Sequence, residues 1–163
     1  MRIMQAIHSG RVTVDLAVSD RPSALMALAQ AFADHDKRLS PSAVNDALTS
    51  REHLASTNVG HGVAIPHARV AGLGEPQLAI SIAREGVAFD DPNQPVHILV
   101  GLLSDADDPA SHLQLLSSLV RTLAQPRVRY EIAASETVDD VLQALALSEH
   151  GPQEVSLRLV GTC

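Results

Sequence analysis

His67 stands directly after Pro66, at the end of the short apolar run Gly62-Val63-Ala64-Ile65-Pro66. Pro66 holds its own φ and drives Ile65 into an extended conformation, so the His67 ring leaves the run at a defined angle. A histidine held in this way suits nucleophilic attack, because pre-organisation lowers the cost of reaching an attack geometry. A neutral imidazole has one lone pair. The group bonded to its other nitrogen decides which nitrogen carries it. Gly60 and Gly62 let backbone approach an incoming group and present bare N–H groups to an anion. Upstream, the stretch SREHLAST supplies Arg51, Ser56 and Thr57. These are a cation and two hydroxyls suited to phosphate oxygens. His112 falls in the first turn of a strongly helical segment, where the positive end of the dipole favours an anion.

Plainer roles compete for the neighbouring residues. Glu52 can simply pair with Arg51. His61 reads as an exposed loop residue, and His97, inside an apolar run, as a buried and satisfied histidine. Arg121, Arg127 and Arg129 read as a solvated face. Asp105, Asp107 and Asp108 read as a solvated loop or as a rim for docking a carrier protein. A metal hydrolase built from His61, His67, His97 and His112 is a competing function class. It lacks ligand spacing on one element and an obvious carboxylate ligand. No metal and no cofactor is expected.

Composition narrows the choice further. The chain has 163 residues, of which 45% are hydrophobic and 2% aromatic, and its formal net charge is −7. So few aromatics argue against a stacking platform for single strands. The acidic balance argues against a broad nucleic-acid footprint, so no nucleic-acid partner is expected. Cys163 is the single cysteine, which allows no internal disulfide and fits a reducing, cytoplasmic setting. The first dozen residues lack the apolar core of a signal peptide, and no apolar run is long enough for membrane insertion.

The elements that must position these residues follow from periodicity. Val12, Val14, Leu16 and Val18 alternate as in a strand over 11–18. Asp20 and Pro22 open a helix that places Leu25, Leu28, Ala29 and Phe32 on one face. Ser40 as N-cap and Pro41 at the first position repeat the device for a helix ending near Arg51, Glu52 and His53. Strands are expected over 62–66, 76–85 and 95–104, the last apolar enough to be covered on both faces. The segment 110–124 predicts a helix with Leu113, Leu116, Val120 and Leu123 on one stripe. Two more helices follow, the last capped by Ser135 with Glu136 in its first turn. The sum is a three-layer α/β/α sandwich with a mixed central β-sheet flanked by helices. It forms one domain over 1–150 and leaves a tail over 151–163, in which VSLRLV reads as a late strand or an arm.

The stretch LTSREHLASTNVGHGVAIPHARV resembles the active-site segment of the fructose/mannitol and nitrogen-type enzyme IIA domains of the bacterial phosphoenolpyruvate-dependent phosphotransferase system. The shared features are Arg51–Glu52, Ser56–Thr57, Gly60-His61-Gly62 and Ala64-Ile65-Pro66-His67. Downstream, FDDPNQPVHILVGLLS and SHLQLLSSLVRTLA are similar to the family's next strand and helix. The likeness runs in order over 11–147. It implies that His67 is the phosphoacceptor, with His112 and Arg51 completing the site. It also implies HPr or an HPr-like phosphocarrier as donor. The output is either regulatory target proteins, as in the nitrogen regulatory type, or a IIB domain for fructose or mannitol uptake. The chain departs from the family at Asn58, His61 and Ala68, where Gly, Asn and Gly are common.

Overall fold

The computed structural model describes residues 2–149. The expected tail over 151–163, including the VSLRLV reading, lies outside the described residues. The elements are α1 (Ile3–Ala6), β1 (Ile7–Thr13), α2 (Arg21–His35), α3 (Pro41–Leu54), β2 (Asn58–Gly60), β3 (Val63–Ala64), β4 (His67–Val70), β5 (Gln77–Val87), β6 (Val96–Asp105), α4 (Pro109–Leu123), α5 (Pro126–Ala133) and α6 (Val138–Glu149).

β5 and β6 pair antiparallel and form the spine of a six-stranded mixed sheet. β1 lies parallel to β5, and β3 and β4 both lie parallel to β6. Alternate residues of the spine face opposite layers, because side chains of a strand alternate between the two faces. Leu78, Ile80, Ile82, Ile98, Val100 and Leu102 pack into one core with α1, α4, α5 and α6. Ala79, Ala83, Leu99 and Leu103 pack into a second core with α2 and α3. Small residues on that second face let the helices sit close. An ideal Cβ on Gly101 would lie 3.1 Å from the Phe32 ring. The chain is thus the expected α/β/α sandwich with a mixed sheet.

The helix-start devices act as their sequences imply. The Asp20 carboxylate accepts the Ser23 amide at 2.8 Å to open α2. The Ser40 hydroxyl accepts the Ala43 amide at 3.4 Å to open α3. Other expectations need correction. The first strand covers Ile7–Thr13 and not 11–18. Beyond Thr13 the chain follows β5 through single contacts, such as the Leu16 amide on the Ile82 carbonyl at 2.9 Å.

On α4, Leu115 and Leu119 are the buried residues, with Thr122 and Leu123, while Leu113 is 67% exposed and Val120 42%. The helix carries apolar residues around much of its surface, and sheet packing selects the face. Ser135 does not cap α6; its hydroxyl donates to the Glu131 carbonyl of α5. Thr137 and Asp140 form the cap reciprocally instead.

The run 62–66 is not one strand. Pro66 has no N–H to offer β6, so pairing stops and restarts there. β3 ends at Ala64 and β4 begins at His67, both against β6, with the Leu102 amide on the Pro66 carbonyl at 2.9 Å across the gap. β2 and β4 had no counterpart in the sequence reading.

Candidate active site

The break at Pro66 is where the site forms. β2 pairs with β3 but not with β4, so the stretch from His67 onward is free of a strand neighbour on its outer side. α3 approaches there from one layer and the start of α4 from the other. Together they leave a cleft of about 290 Å³ lined by Ala47, Arg51, His67, Ala68, Arg69 and His112.

His67 is held by the backbone that precedes it. Its Nδ1 lies 2.8 Å from the Ile65 carbonyl oxygen. A carbonyl can only accept, so Nδ1 carries the ring proton and Nε2 carries the lone pair. Burial lowers the pKa of His67 below its ordinary value. The Ile65 bond opposes this, the Arg51 charge adds to it, and Glu52 opposes it weakly. The ring is therefore a free base at neutral pH.

The His112 ring faces it, with centres 5.4 Å apart and planes tilted by 53°. Its position comes from the start of α4. The Asp108 carboxylate accepts the Ser111 amide at 3.1 Å, and Pro109 occupies the first turn. His112 Nδ1 is hydrogen-bonded to the hydroxyl of Ser104 on β6. Burial lowers the pKa of His112 as well, followed by the charges of His67, Arg69 and Arg51.

Arg51 sits in the last turn of α3, where its guanidinium donates to the Ala55 carbonyl at 3.0 Å. Arg69 lies two residues after His67 on the same strand, hence on the same face. It is exposed on the cleft wall, and the sequence reading missed it. Its period-2 spacing from His67 carries meaning only once β4 is known to be a strand. Among the described residues neither arginine has a carboxylate partner within ion-pair distance. A chain of net charge −7 thus concentrates two free cations around a neutral histidine.

Ser56 and Thr57 are not among the residues lining the cleft. The Ser56 hydroxyl donates to Asp90 at 2.5 Å. The Thr57 hydroxyl donates to Glu52 at 2.6 Å, and the Thr57 amide donates to the same carboxylate at 2.8 Å. Glu52 is thus buried against Thr57 and is not the ion-pair partner of Arg51. Gly60-His61-Gly62 is also absent from the lining. It forms the β2–β3 turn, with φ of +87°, +56° and +77°. His61 therefore occupies a left-handed position at which most residues with a side chain are strained. His97 bonds the Ala83 carbonyl at 3.0 Å. Asn58 bridges the Gly60 amide and Asp90, and Ala68 is buried in the second core.

A free-base imidazole held at one nitrogen thus faces a second histidine and two guanidiniums without carboxylate partners among the described residues, an arrangement with the chemistry to receive an anionic group. The comparisons agree with that chemistry. The family described as "Phosphoenolpyruvate-dependent sugar phosphotransferase system, EIIA 2" matches residues 5–147, and the chain belongs to it. Proteins of this family are phosphotransferases that carry phosphohistidine.

A fructose-specific EIIA component of Haloferax volcanii is 40% identical over 101 residues, 60% of this chain and 66% of that protein. The chain thus spans slightly under two thirds of the length of that relative. A nitrogen regulatory protein of Pseudomonas aeruginosa is 28% identical over 152 residues, 93% of this chain and 99% of that one. The crystal structure of the nitrogen regulatory protein IIA-Ntr from Neisseria meningitidis superposes with a TM-score of 0.80 at 29% identity, covering 88% and 98% of the two chains. The fold is also that of IIA mannitol from Escherichia coli, with a TM-score of 0.71 at 21% identity and coverage of 85% and 97%. Among the described residues no helix is long and apolar enough to cross a membrane.

Proposed function

We propose that His67 Nε2 is the phosphoacceptor of a cytoplasmic phosphoryl-transfer protein, charged by HPr or an HPr-like phosphocarrier. The observation that carries this reading is the bond from His67 Nδ1 to the Ile65 carbonyl, which leaves the Nε2 lone pair unengaged. In the transfer, that lone pair forms a bond to phosphorus. The carrier's nitrogen–phosphorus bond breaks, and its electron pair returns to the carrier ring. The His67 ring gains positive character, which the Ile65 carbonyl stabilises through Nδ1–H. Arg51, Arg69 and His112 hold the phosphoryl oxygens. Most of the catalytic contribution in such a transfer is positioning and charge stabilisation. Ser56 and Thr57 serve by anchoring the turn behind Arg51.

The output of the phosphorylated form is regulatory: added negative charge on the docking face recruits or repels target proteins. The near full-length likeness to a nitrogen regulatory protein supports this. Transfer to a IIB domain for sugar uptake is the second reading, favoured by the 40% identity to a fructose-specific component. The test is incubation with phosphoenolpyruvate, enzyme I and the HPr-like carrier from the same genome, followed by intact mass at neutral pH. One acid-labile phosphate is expected on the wild type and none on His67→Ala. No label on the wild type, or label persisting in His67→Ala, overturns the assignment.

A further inference from the structure

The two facing rings have the same chemistry, yet the proposed transfer needs one to attack and the other to donate. For His67 the backbone makes the difference through the Ile65 carbonyl. For His112 the partner is a hydroxyl, which can donate or accept. Ser104 lies near the C-terminal end of β6, an otherwise apolar run there, and is 0% exposed. Among the described residues its hydroxyl has a single hydrogen-bond partner, His112 Nδ1. A buried hydroxyl proton requires an acceptor. If Nδ1 carried the ring proton, it would donate to the Ser104 oxygen and leave the Ser104 proton with nothing to bond. If Nδ1 is bare, the hydroxyl donates to it, and the ring proton on Nε2 is satisfied from the cleft.

We infer that Ser104 donates to His112 Nδ1 and so places the ring proton of His112 on Nε2, giving the two facing histidines opposite tautomers. The inference rests on the phosphoacceptor reading of His67 and deepens it. His67 presents a lone pair, whereas His112 presents a proton. Only one of the pair can attack phosphorus. A phosphoryl group on His67 then meets an N–H rather than a second lone pair, which would repel its oxygens. Ser104 touches neither phosphoryl group nor carrier; it is a positioning residue that acts through His112.

The test begins with nitrogen-15 correlation spectra of the imidazoles in the unphosphorylated wild type at neutral pH. His67 is expected as the Nδ1–H tautomer and His112 as the Nε2–H tautomer. In Ser104→Ala the His112 ring shifts toward a tautomer mixture, while His67 is unchanged. Phosphorylation of His67 in that variant slows by about tenfold, the loss of one hydrogen bond's worth of orientation. Ser104→Thr, which restores a hydroxyl, recovers the wild-type tautomer and rate. In a His112→Ala background the Ser104→Ala change has no further effect on rate. An Nδ1–H tautomer for His112 in the wild type overturns the inference and depends on no variant folding. A wild-type rate in Ser104→Ala, or additive losses in the double variant, does the same. The spectra need no phosphoryl donor, so failure of the wild type to be labelled sinks the functional reading separately.

Discussion

An imidazole attacks phosphorus only while its lone pair is free, so protonation of His67 switches the site off. Burial leads in lowering the pKa of both His67 and His112, with Arg51 contributing at each. Both rings therefore stay neutral at pH values where a free histidine, with its ordinary value of 6.5, would be charged. The acid limb of the transfer-rate profile is expected below pH 6.5. Arg51→Met removes a neighbouring cation, so the limb moves toward higher pH while the plateau rate falls; a stopped-time labelling series across pH reads both. Linkage gives the matching effect on stability. Below the ordinary value the unfolded chain binds more protons at these two positions than the folded one. Their contribution is complete above about pH 6.5 and is lost as pH falls toward the lowered folded values.

At the scale of elements, the turn after α3 is held by a carboxylate that the helix itself provides. Glu52 is 3% exposed and takes both the amide and the hydroxyl of Thr57. Thr57→Val keeps the shape and removes one donor to a buried charge. It is expected to lower the unfolding free energy by about 1.5–3 kcal/mol, read from urea denaturation. The loosened turn also frees Arg51, so labelling slows in the same variant.

Much of this level was legible beforehand. Asp20 with Pro22 and Ser40 with Pro41 announce α2 and α3, and the apolar runs announce β5 and β6, because caps and two-sided burial are local signals. β4 was not legible: four residues are too few for a period, and its partner β6 lies over thirty residues away. Arg69 was missed with it, since a side chain's place on a wall depends on the strand beneath. Motif and spacing named His67, Arg51 and His112, and the structure brings these three to one cleft. The hydroxyls of Ser56 and Thr57 were misdirected because their acceptors, Asp90 and Glu52, are chosen by tertiary packing.

Over the whole molecule, residues 77–83 of β5 and 98–104 of β6 are buried on both faces, whereas β2 and the Gly60–Gly62 turn are largely exposed at one side. Amides of the buried stretches 78–82 and 98–103 are expected to exchange with solvent only through global opening. Those of 58–62 exchange through local fraying, with a separation visible by native-state hydrogen exchange. The cleft lies beside that spine, with its β4 wall paired to β6.

Far from it, the Glu149 carboxylate accepts the amides of Ile3 and Met4, so the last turn of α6 is latched to the first turn of α1. The described chain is therefore close to a ring. In a ring the starting point is arbitrary: the same contacts can be reached from a chain reordered to begin at the Gly60–Gly62 turn and spliced across the latch. The latch keeps the start of α1 and the end of α6 side by side, so the two ends of the described chain are brought together by a single carboxylate.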